Sequence, residues 1–178
     1  MRKTDLRKYR TKLLFSQALL QLLAEKPLNN ISVKDLIARA ELNRSTFYLH
    51  YLDMPDFIEA TFTQALEGLK TQLLKFYPLE SDALYTYYHT YLVWFDEYRL
   101  LLQALQSTSY APLLWQKLDN INSSYLDSLA AHNKMHILYI STADRGLFAE
   151  WLLNSQAHSL EALAQLLAQS AAKIIDRN

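Results

Sequence analysis

Glycine is scarce in this chain, and its scarcity limits the folds that the chain can adopt. The 178 residues include two glycines, Gly68 and Gly146, and four prolines. A β-sheet protein of this size needs many tight turns, and those turns depend on glycine, asparagine and proline at set positions. Leucine, alanine, glutamine and glutamate are plentiful instead, and these residues favour helices. The sequence therefore predicts an all-α fold with prolines near helix ends.

The first half of the sequence has the spacing of a helix-turn-helix. Apolar residues at helical period predict helices over residues 5–25, 33–40 and 44–51. Ser32 and Asn43 are the expected N-caps of the second and third helices. Two short helices joined by a three-residue turn and braced by a longer helix form a helix-turn-helix. A fourth predicted helix, from Met54 to about residue 76, joins this domain, residues 1–52, to a helical domain, residues 53–178.

The charge is unevenly distributed along the chain although its net charge is zero. Residues 1–52 contain ten lysines and arginines against four acids, and the remainder contains eight against fourteen. A positive N-terminal domain attracts phosphates, and a negative remainder is repelled by a polyanion. The alternative is a chance fluctuation in solvated surface charge.

Cysteine is absent, which excludes disulfides, thiolate zinc sites and cysteine nucleophiles. The first twelve residues are rich in charge where a signal peptide would be apolar, and no run approaches eighteen apolar residues. We therefore expect a cytoplasmic protein without a membrane partner.

The third predicted helix carries hydrogen-bond donors on its outward side. Leu42, Phe47 and Tyr51 are the expected apolar anchors, and Phe47 and Tyr51 are predicted to be core. The polar residues are Asn43, Arg44, Ser45, Thr46, Tyr48 and His50. A donor-rich face without carboxylates suits a groove lined with acceptors and bounded by phosphates.

Two stretches give the sequence a specific resemblance. Residues 31–40 (ISVKDLIARA) and 43–51 (NRSTFYLHY) resemble the DNA-binding signature of the tetracycline-repressor (TetR/AcrR) family, most diagnostically in Thr46-Phe47-Tyr48-x-His50-Tyr51. The resemblance implies a regulator that binds a palindromic operator in double-stranded DNA as a homodimer, without a cofactor.

The resemblance also implies roles for individual residues. Arg44, Ser45 and Thr46 would face the major groove, and Tyr48 and His50 would contact the backbone or nearby bases. Ser32 and the start of the second helix would touch phosphate, and the basic arm, Arg2 to Lys12, would lie along phosphates or reach an adjacent minor groove. The candidate residues in these two segments are Arg7, Arg10, Lys12, Ser32 and Lys34, and Asn43 is a further candidate DNA contact. The alternatives are ordinary solvated surface for the helix and a disordered solubilising tail for the arm.

Two positions depart from the family pattern. Glu41 occupies the turn position where glycine is usual, and a left-handed conformation there would cost about 1 kcal/mol. Met54 stands where a lysine is usual, so one phosphate contact is expected to be missing.

The second half is predicted to form helices over residues 81–105, 110–131, 134–154 and 158–175. Aromatic residues surround the first of these helices, which indicates that other helices enclose it. The family resemblance implies an effector pocket here, with candidate residues Tyr88, Tyr91, Trp94, Phe95, Tyr98 and Trp115. The alternative is a filled aromatic core without a ligand.

The last two predicted helices carry apolar stripes. By resemblance, these helices would pair with those of a second copy as a four-helix bundle, and the candidate interface residues are Phe148, Trp151, Leu152, Leu160, Leu163, Leu167, Ala171 and Ile174. The alternative is packing within one chain.

The main alternative hypothesis is that the protein is an enzyme, and the sequence gives this hypothesis little support. His132 and His136 have the i, i+4 spacing of a metal pair but straddle a predicted helix break. Asp96 and Glu97 are adjacent and would point about 100° apart on a helix. We therefore predict a regulator without enzymatic activity. The family resemblance implies a repressor that a small molecule releases from DNA, and the hypothesis is that the ligand shifts the fourth helix. Activation, or regulation by a partner protein, stays open.

Overall fold

The computed structural model describes residues 3–77, 79–122, 131–154 and 158–175. Within these ranges the regular structure is helical, which confirms the predicted all-α fold. The α-helices are α1 (Lys3–Leu23), α2 (Val33–Arg39), α3 (Arg44–Tyr48), α4 (Met54–Leu73), α5 (Leu84–Glu97), α6 (Arg99–Gln106), α7 (Ala111–Asp119), α8 (Ala131–Leu153) and α9 (Leu160–Ile175). Short 3-10 helices lie at Leu28–Asn30, Leu74–Phe76 and Asn120–Asn122.

The chain divides into two compact units, Met1–Ala65 and Leu66–Asn178, and the division falls within α4. The domain boundary predicted between residues 52 and 53 lies at the start of α4 instead, and it stays a prediction.

An aromatic cluster forms the core of the first unit. Phe15 of α1 meets Phe47 of α3 edge to face, with ring centroids 5.5 Å apart. Tyr51 and Phe57 pack on the same two rings, and their own centroids are 4.9 Å apart. All four side chains are buried, which confirms Phe47 and Tyr51 as core residues. Each such aromatic pair contributes about 0.5–1.5 kcal/mol beyond the burial of its area.

Side-chain caps fix the start of α2. Ser32 Oγ accepts a hydrogen bond from the Asp35 backbone N–H at 3.2 Å, and the Ser32 N–H donates to Asp35 Oδ2 at 2.8 Å. This reciprocal capping box satisfies backbone donors that the first turn of a helix leaves free. The predicted cap at Ser32 is therefore confirmed.

The third helix is shorter than predicted. Asn43 occupies the N-cap position of α3, as expected, but its side chain makes no capping hydrogen bond. The helix ends at Tyr48 rather than Tyr51, because the chain tightens there: the backbone N–H of His50 donates to the Phe47 carbonyl at 2.9 Å, three residues back.

The turn between α2 and α3 has a left-handed residue. Glu41 adopts a φ of 54°, which is the left-handed conformation that the usual glycine of the family indicated for this position. A Cβ atom crowds the backbone in this conformation, so Glu41 holds the turn at a cost of about 1 kcal/mol.

We predict that Glu41→Gly stabilises the first unit by up to about 1 kcal/mol, because glycine has no Cβ atom to crowd the backbone. Amide hydrogen exchange of α1–α3 would measure the change in the free energy of opening. Glu41→Ala is the matched control, since it removes the carboxylate and keeps the Cβ atom. Equal stabilisation by alanine would assign the effect to the lost charge instead.

The second unit has a break that the sequence did not predict. The helix expected over residues 81–105 is two helices, α5 and α6, which meet at Tyr98. Arg99 marks the break: its guanidinium binds Asp96 Oδ1 at 2.8 Å and lies 4.2 Å from the centroid of the Trp151 ring on α8. No glycine or proline marks this break in the sequence. The contact that accompanies it joins Arg99 to a residue 52 positions away in the chain, which a local pattern does not reveal.

Helix α5 is buried along one side rather than enclosed all round as its aromatic pattern predicted, because Tyr85 and Val93 are exposed. Tyr91 stacks on Phe148 of α8 with centroids 5.0 Å apart, and Phe95 packs on the same ring at 5.1 Å. Helix α9 packs along α5 as well. Leu163 and Leu167 of α9 are buried, and so is Leu92 of α5.

Candidate functional sites

All eleven residues predicted to bind DNA lie in the first unit, and none of them is buried. Eight are exposed: Arg7, Arg10, Ser32, Lys34, Asn43, Arg44, Ser45 and Tyr48. Lys12, Thr46 and His50 are partly exposed. The structure thus leaves the polar side of α3 accessible while Phe47, on its other side, is fully buried.

Arg44 and Tyr48 form a pair on the exposed side of α3. They lie one helical turn apart, and the Arg44 guanidinium carbon is 5.3 Å from the centroid of the Tyr48 ring. The guanidinium also donates a hydrogen bond of 3.3 Å to the Tyr48 hydroxyl. This contact orients Arg44 across the surface of the helix and still leaves most of its donors free to bind a ligand.

Basic residues of α1 lie close to His50. Partial burial lowers the pKa of His50 below its ordinary value, and the positive charges of Lys12 and Lys8 lower it further. The end of α3 and the basic arm therefore share one electropositive surface.

Three acids of the first unit bind groups of the same unit. Asp35 Oδ2 lies 3.0 Å from Lys26 Nζ, and the hydrogen bonds from Ser32 hold the pKa of Asp35 well below its usual range. Glu25 accepts a hydrogen bond from Arg39 at 2.7 Å, and this bond lowers its pKa. Asp56 accepts from the backbone N–H of Leu52 at 2.8 Å. These carboxylates support the fold rather than oppose an approaching anion.

Two exposed residues of this surface were not singled out as candidate contacts, although Lys8 lies within the predicted basic arm. Lys8 lies one turn before Lys12 on α1, and this i, i+4 spacing was the signal available in the sequence. Leu49 lies between Tyr48 and His50 and is 77% exposed. Nothing in the sequence pattern separates such an exposed leucine from a core leucine.

A cavity of about 160 Å³ lies in the second unit. Its walls come from α5, α7 and α8, and the lining residues are Tyr87, Tyr88, Tyr91, Trp115, Leu118, Asp119, Leu138, Ser141, Thr142, Asp144, Arg145 and Phe148. Three of the six residues predicted for a pocket, Tyr88, Tyr91 and Trp115, are among them.

The other three predicted pocket residues lie elsewhere. Trp94 and Phe95 are buried, and neither lines the cavity. Tyr98 is at the break after α5, where its ring lies 5.1 Å from that of Trp94. Trp94 and Phe95 therefore fit the alternative prediction, an aromatic core filled by its own side chains. The polar lining residues of α8 were missed, because a helical period does not identify which side chains face a cavity.

Two aspartates lie in the cavity wall, and each has a side-chain partner there. The Tyr88 hydroxyl donates a hydrogen bond of 2.8 Å to Asp144 Oδ2, and burial raises the pKa of Asp144 to about 7. The Arg145 guanidinium lies 3.1 Å from Asp119 Oδ2. Burial raises the pKa of Asp119, and the charge of Arg145 opposes that rise.

The stripe predicted as a dimer interface lies mostly inside the unit's own core. Phe148, Trp151, Leu152, Leu163, Leu167 and Ala171 are buried within the single chain, and Leu160 and Ile174 are partly exposed. Packing within one chain therefore accounts for the stripe. Among the described residues, the large apolar side chains that α8 and α9 expose are Met135, Leu138, Tyr139, Leu147, Leu153 and Leu166.

The described residues contain no cluster of three metal-binding side chains, and the side chains of His132 and His136 lie outside those described. Asp96 binds Arg99 through Oδ1. Among the helices described, none has the length and apolar character to cross a bilayer.

Comparisons with solved structures identify the fold. The dihydroxyacetone kinase operon activator DhaS superposes with a TM-score of 0.66 at 17% identity, covering 94% of this chain and 97% of that one. A TetR transcriptional regulator from Streptococcus agalactiae 2603V superposes with a TM-score of 0.61 at 21% identity and the same coverage. No family model matches the sequence, and no curated protein matches it.

The fold thus belongs to the class in which a helix-turn-helix unit precedes a helical bundle. More specifically, the chain has the fold of TetR-type transcription regulators, as its sequence resemblance predicted.

Proposed function

We propose that this chain is a sequence-specific DNA-binding transcription regulator that reads duplex DNA with α3. The observation that carries the proposal is the two-sided character of α3: Phe47 is fully buried, whereas Asn43, Arg44, Ser45 and Tyr48 are exposed. The exposed side holds donors and no carboxylate, which suits the acceptors of a major groove. The fold of the two structural neighbours, both named as regulators of transcription, supports the same function.

Arg44 is the best placed residue for reading a base. A guanidinium can donate two parallel hydrogen bonds to O6 and N7 of guanine, the commonest specific contact of this residue. Tyr48 and Ser45 would flank Arg44 in the groove. Thr46 is partly exposed and would lie further from the bases. Leu49, between Tyr48 and His50, offers an apolar side chain for the methyl group of thymine.

The basic residues around α3 would contact phosphates. Arg7, Arg10, Lys8 and Lys12 on α1 and Lys34 on α2 are exposed or partly exposed cations of the same unit. The Ser32 hydroxyl donates its hydrogen to Asp35 Oδ2. We therefore propose that Ser32 makes only a weak contact with phosphate. Phosphate contacts of this kind release counterions, so binding should weaken steeply with salt.

A homodimer would double the reading surface. One short helix buries too little area for tight specific binding, and two copies about 34–36 Å apart would read successive major-groove faces of a palindromic site. The exposed apolar residues of α8 and α9, among them Leu147, Leu153 and Leu166, are candidates for the contact between copies.

The sign of regulation has two candidates. Repression by occupancy of the operator, with release by a small molecule in the cavity of the second unit, is the mechanism that we propose. Activation is the second candidate, because one structural neighbour is named as an operon activator. Transcription in vitro from a promoter that carries the selected site would separate the two. An enzymatic role has less support, since the neighbours are regulators of transcription.

Selection of bound duplexes from a random DNA pool tests the proposal. A palindromic consensus with half-sites about one helical turn apart is the expected result. Binding that depends on salt but selects no sequence would instead assign the chain an architectural role. Failure to retain any DNA at low salt would overturn the proposal.

We predict that operator affinity rises as the pH falls from 8 towards 5.5. Burial and two lysines lower the pKa of His50 in the free protein, so it is neutral above its ordinary pKa of 6.5. A nearby phosphate favours the charged form, so binding takes up a proton at lower pH. The gain is at most about tenfold per pH unit for each His50 that titrates.

Fluorescence anisotropy with labelled operator at constant salt would measure this pH dependence. His50→Gln should remove it, whereas His89→Gln, the same substitution on α5 of the second unit, should retain it. An unchanged pH profile in His50→Gln would place the titrating group elsewhere.

A further inference from the structure

The size of the cavity in the second unit limits what it can hold. Its volume of about 160 Å³ is close to the roughly 150 Å³ of an apolar cavity known to bind benzene. Tyr87, Tyr91 and Trp115 supply aromatic walls. The occupant that fits is a molecule with one ring, or an apolar body of that size.

The polar groups of the cavity are mainly acceptors. The Ser141 and Thr142 hydroxyls donate hydrogen bonds to the Leu138 carbonyl, at 3.1 Å and 2.7 Å, so their oxygens remain only as acceptors. Asp144 receives a hydrogen bond from Tyr88 on one of its two oxygens. An occupant that donates hydrogen bonds therefore matches the wall better than one that accepts them.

The charges in the wall favour a cation. Arg145 lies 3.1 Å from Asp119, so these two charges largely offset each other. Asp144 is hydrogen-bonded to the neutral Tyr88, and the neighbouring Arg145 pairs with Asp119 instead. A positive charge in the cavity would stabilise the ionised form of Asp144. The aromatic faces of the wall attract cations as well.

Among the described residues that line the cavity, Arg145 carries the positive charge, which would favour an anion. Its Nε atom is buried and has no hydrogen-bond partner. An anion there would face two carboxyl groups and one guanidinium that already binds Asp119. A neutral acceptor on the occupant would satisfy Nε at a lower electrostatic cost.

We propose that the cavity binds a small monocyclic organic cation, with its ammonium group against Asp144 and its ring against Tyr87, Tyr91 and Trp115. The inference rests on the proposed function only in treating the occupant as the effector of the regulator. The site itself is defined by the walls and charges of the second unit.

Calorimetric titration with three probes of nearly equal size tests the proposal. Benzylammonium is the cation, benzyl alcohol its neutral counterpart and benzoate its anionic counterpart. At pH 8, benzylammonium is expected to bind at least tenfold more tightly than benzyl alcohol, and benzoate more weakly than both. Equal binding of the cation and the alcohol, tighter binding of benzoate, or no binding of the cation would overturn the proposal.

The pH dependence of benzylammonium binding gives a second readout on the unaltered chain. The groups around Asp144 are Tyr87, Tyr88 and Tyr91 on α5, Asp119 on α7 and its own neighbour Arg145. Burial raises the pKa of Tyr88 and Tyr91, so both stay neutral. Because the cation binds ionised Asp144, affinity should fall by up to tenfold per unit below pH 7 and level off above it. A flat profile would contradict the role of Asp144.

Asp144→Asn should remove both the preference for the cation and the pH dependence. Asp96→Asn is the matched control, because it removes the same charge from an exposed residue of α5 and should change neither. If Asp144→Asn does not fold, the probe series and the pH profile of the unaltered chain still decide the question.

The outcome is separable from that of the proposed function. A chain that selects a DNA sequence but shows no preference for the cation overturns the ligand class alone. A chain that binds the cation and retains no DNA overturns the proposed function alone.

Discussion

Phe47→Ala is expected to unfold the first unit and to abolish DNA binding. Phe47 is fully buried, and its ring contacts those of Phe15, Tyr51 and Phe57. Truncating a buried phenylalanine to alanine typically costs about 3–5 kcal/mol, because apolar burial is lost and a cavity remains. That loss is a large fraction of the roughly 5–15 kcal/mol by which a whole protein is stable.

Amide hydrogen exchange of α1–α3 is the measurement that isolates this effect. The three tryptophans, Trp94, Trp115 and Trp151, all lie in the second unit, so tryptophan fluorescence does not report directly on the first. We expect Phe47→Ala to lose most exchange protection in α1–α3 and to bind no selected operator.

Leu49→Ala provides the matched control for this loss of stability. Leu49 is two residues from Phe47, is also apolar and is 77% exposed, so its truncation should change stability by less than about 0.5 kcal/mol. Similar protection in Phe47→Ala and Leu49→Ala would mean that the aromatic cluster does not hold α3 in place.

Local rules were sufficient to predict much of the first unit from the sequence. The i, i+4 pair of Phe47 and Tyr51 predicted their burial, and Ser32 before an apolar run predicted the N-cap of α2. Both depend on neighbours within one helical turn. The turn at Glu41 came from the family resemblance, which pointed to a glycine position, and its φ of 54° agrees.

The cavity of the second unit could not be predicted in the same way. Tyr88 and Asp144 are 56 residues apart, and only the packing of α5 against α8 brings them to a hydrogen bond of 2.8 Å. Aromatic content predicted that α5 is enclosed, but it separated neither the exposed Tyr85 from the buried Tyr91 nor Tyr91, which lines the cavity, from Phe95, which does not. That distinction depends on the rotation of each helix about its axis.

The stripes of α8 and α9 illustrate a second limit of periodicity. An apolar stripe predicts that one face of a helix is covered, and it carries no information about which chain covers it. Leu163 and Leu167 are covered by their own chain. Leu153 and Leu166, which the stripe did not include, are about half exposed and so remain available to a second copy.

Arg44→Ala is expected to lower operator affinity by about thirtyfold or more while leaving the fold intact. A bidentate contact to guanine contributes about 1–3 kcal/mol of discrimination, and a symmetric dimer would lose two such contacts. Arg44 is exposed and its contacts are with Tyr48 of the same helix, so its removal should leave the core unchanged. The selected consensus should also become degenerate at one position in each half-site.

Arg39→Ala separates this specific loss from a general loss of positive charge. It removes the same charge from the same unit, but the Arg39 guanidinium binds Glu25 at 2.7 Å rather than facing outward with α3. Anisotropy titrations of both variants over a series of salt concentrations would compare them. The base-reading role requires that Arg44→Ala weakens the operator far more than random DNA and leaves the salt slope unchanged. Uniform weakening on all sequences with a shallower slope would instead make Arg44 a phosphate contact, because only phosphate contacts release counterions.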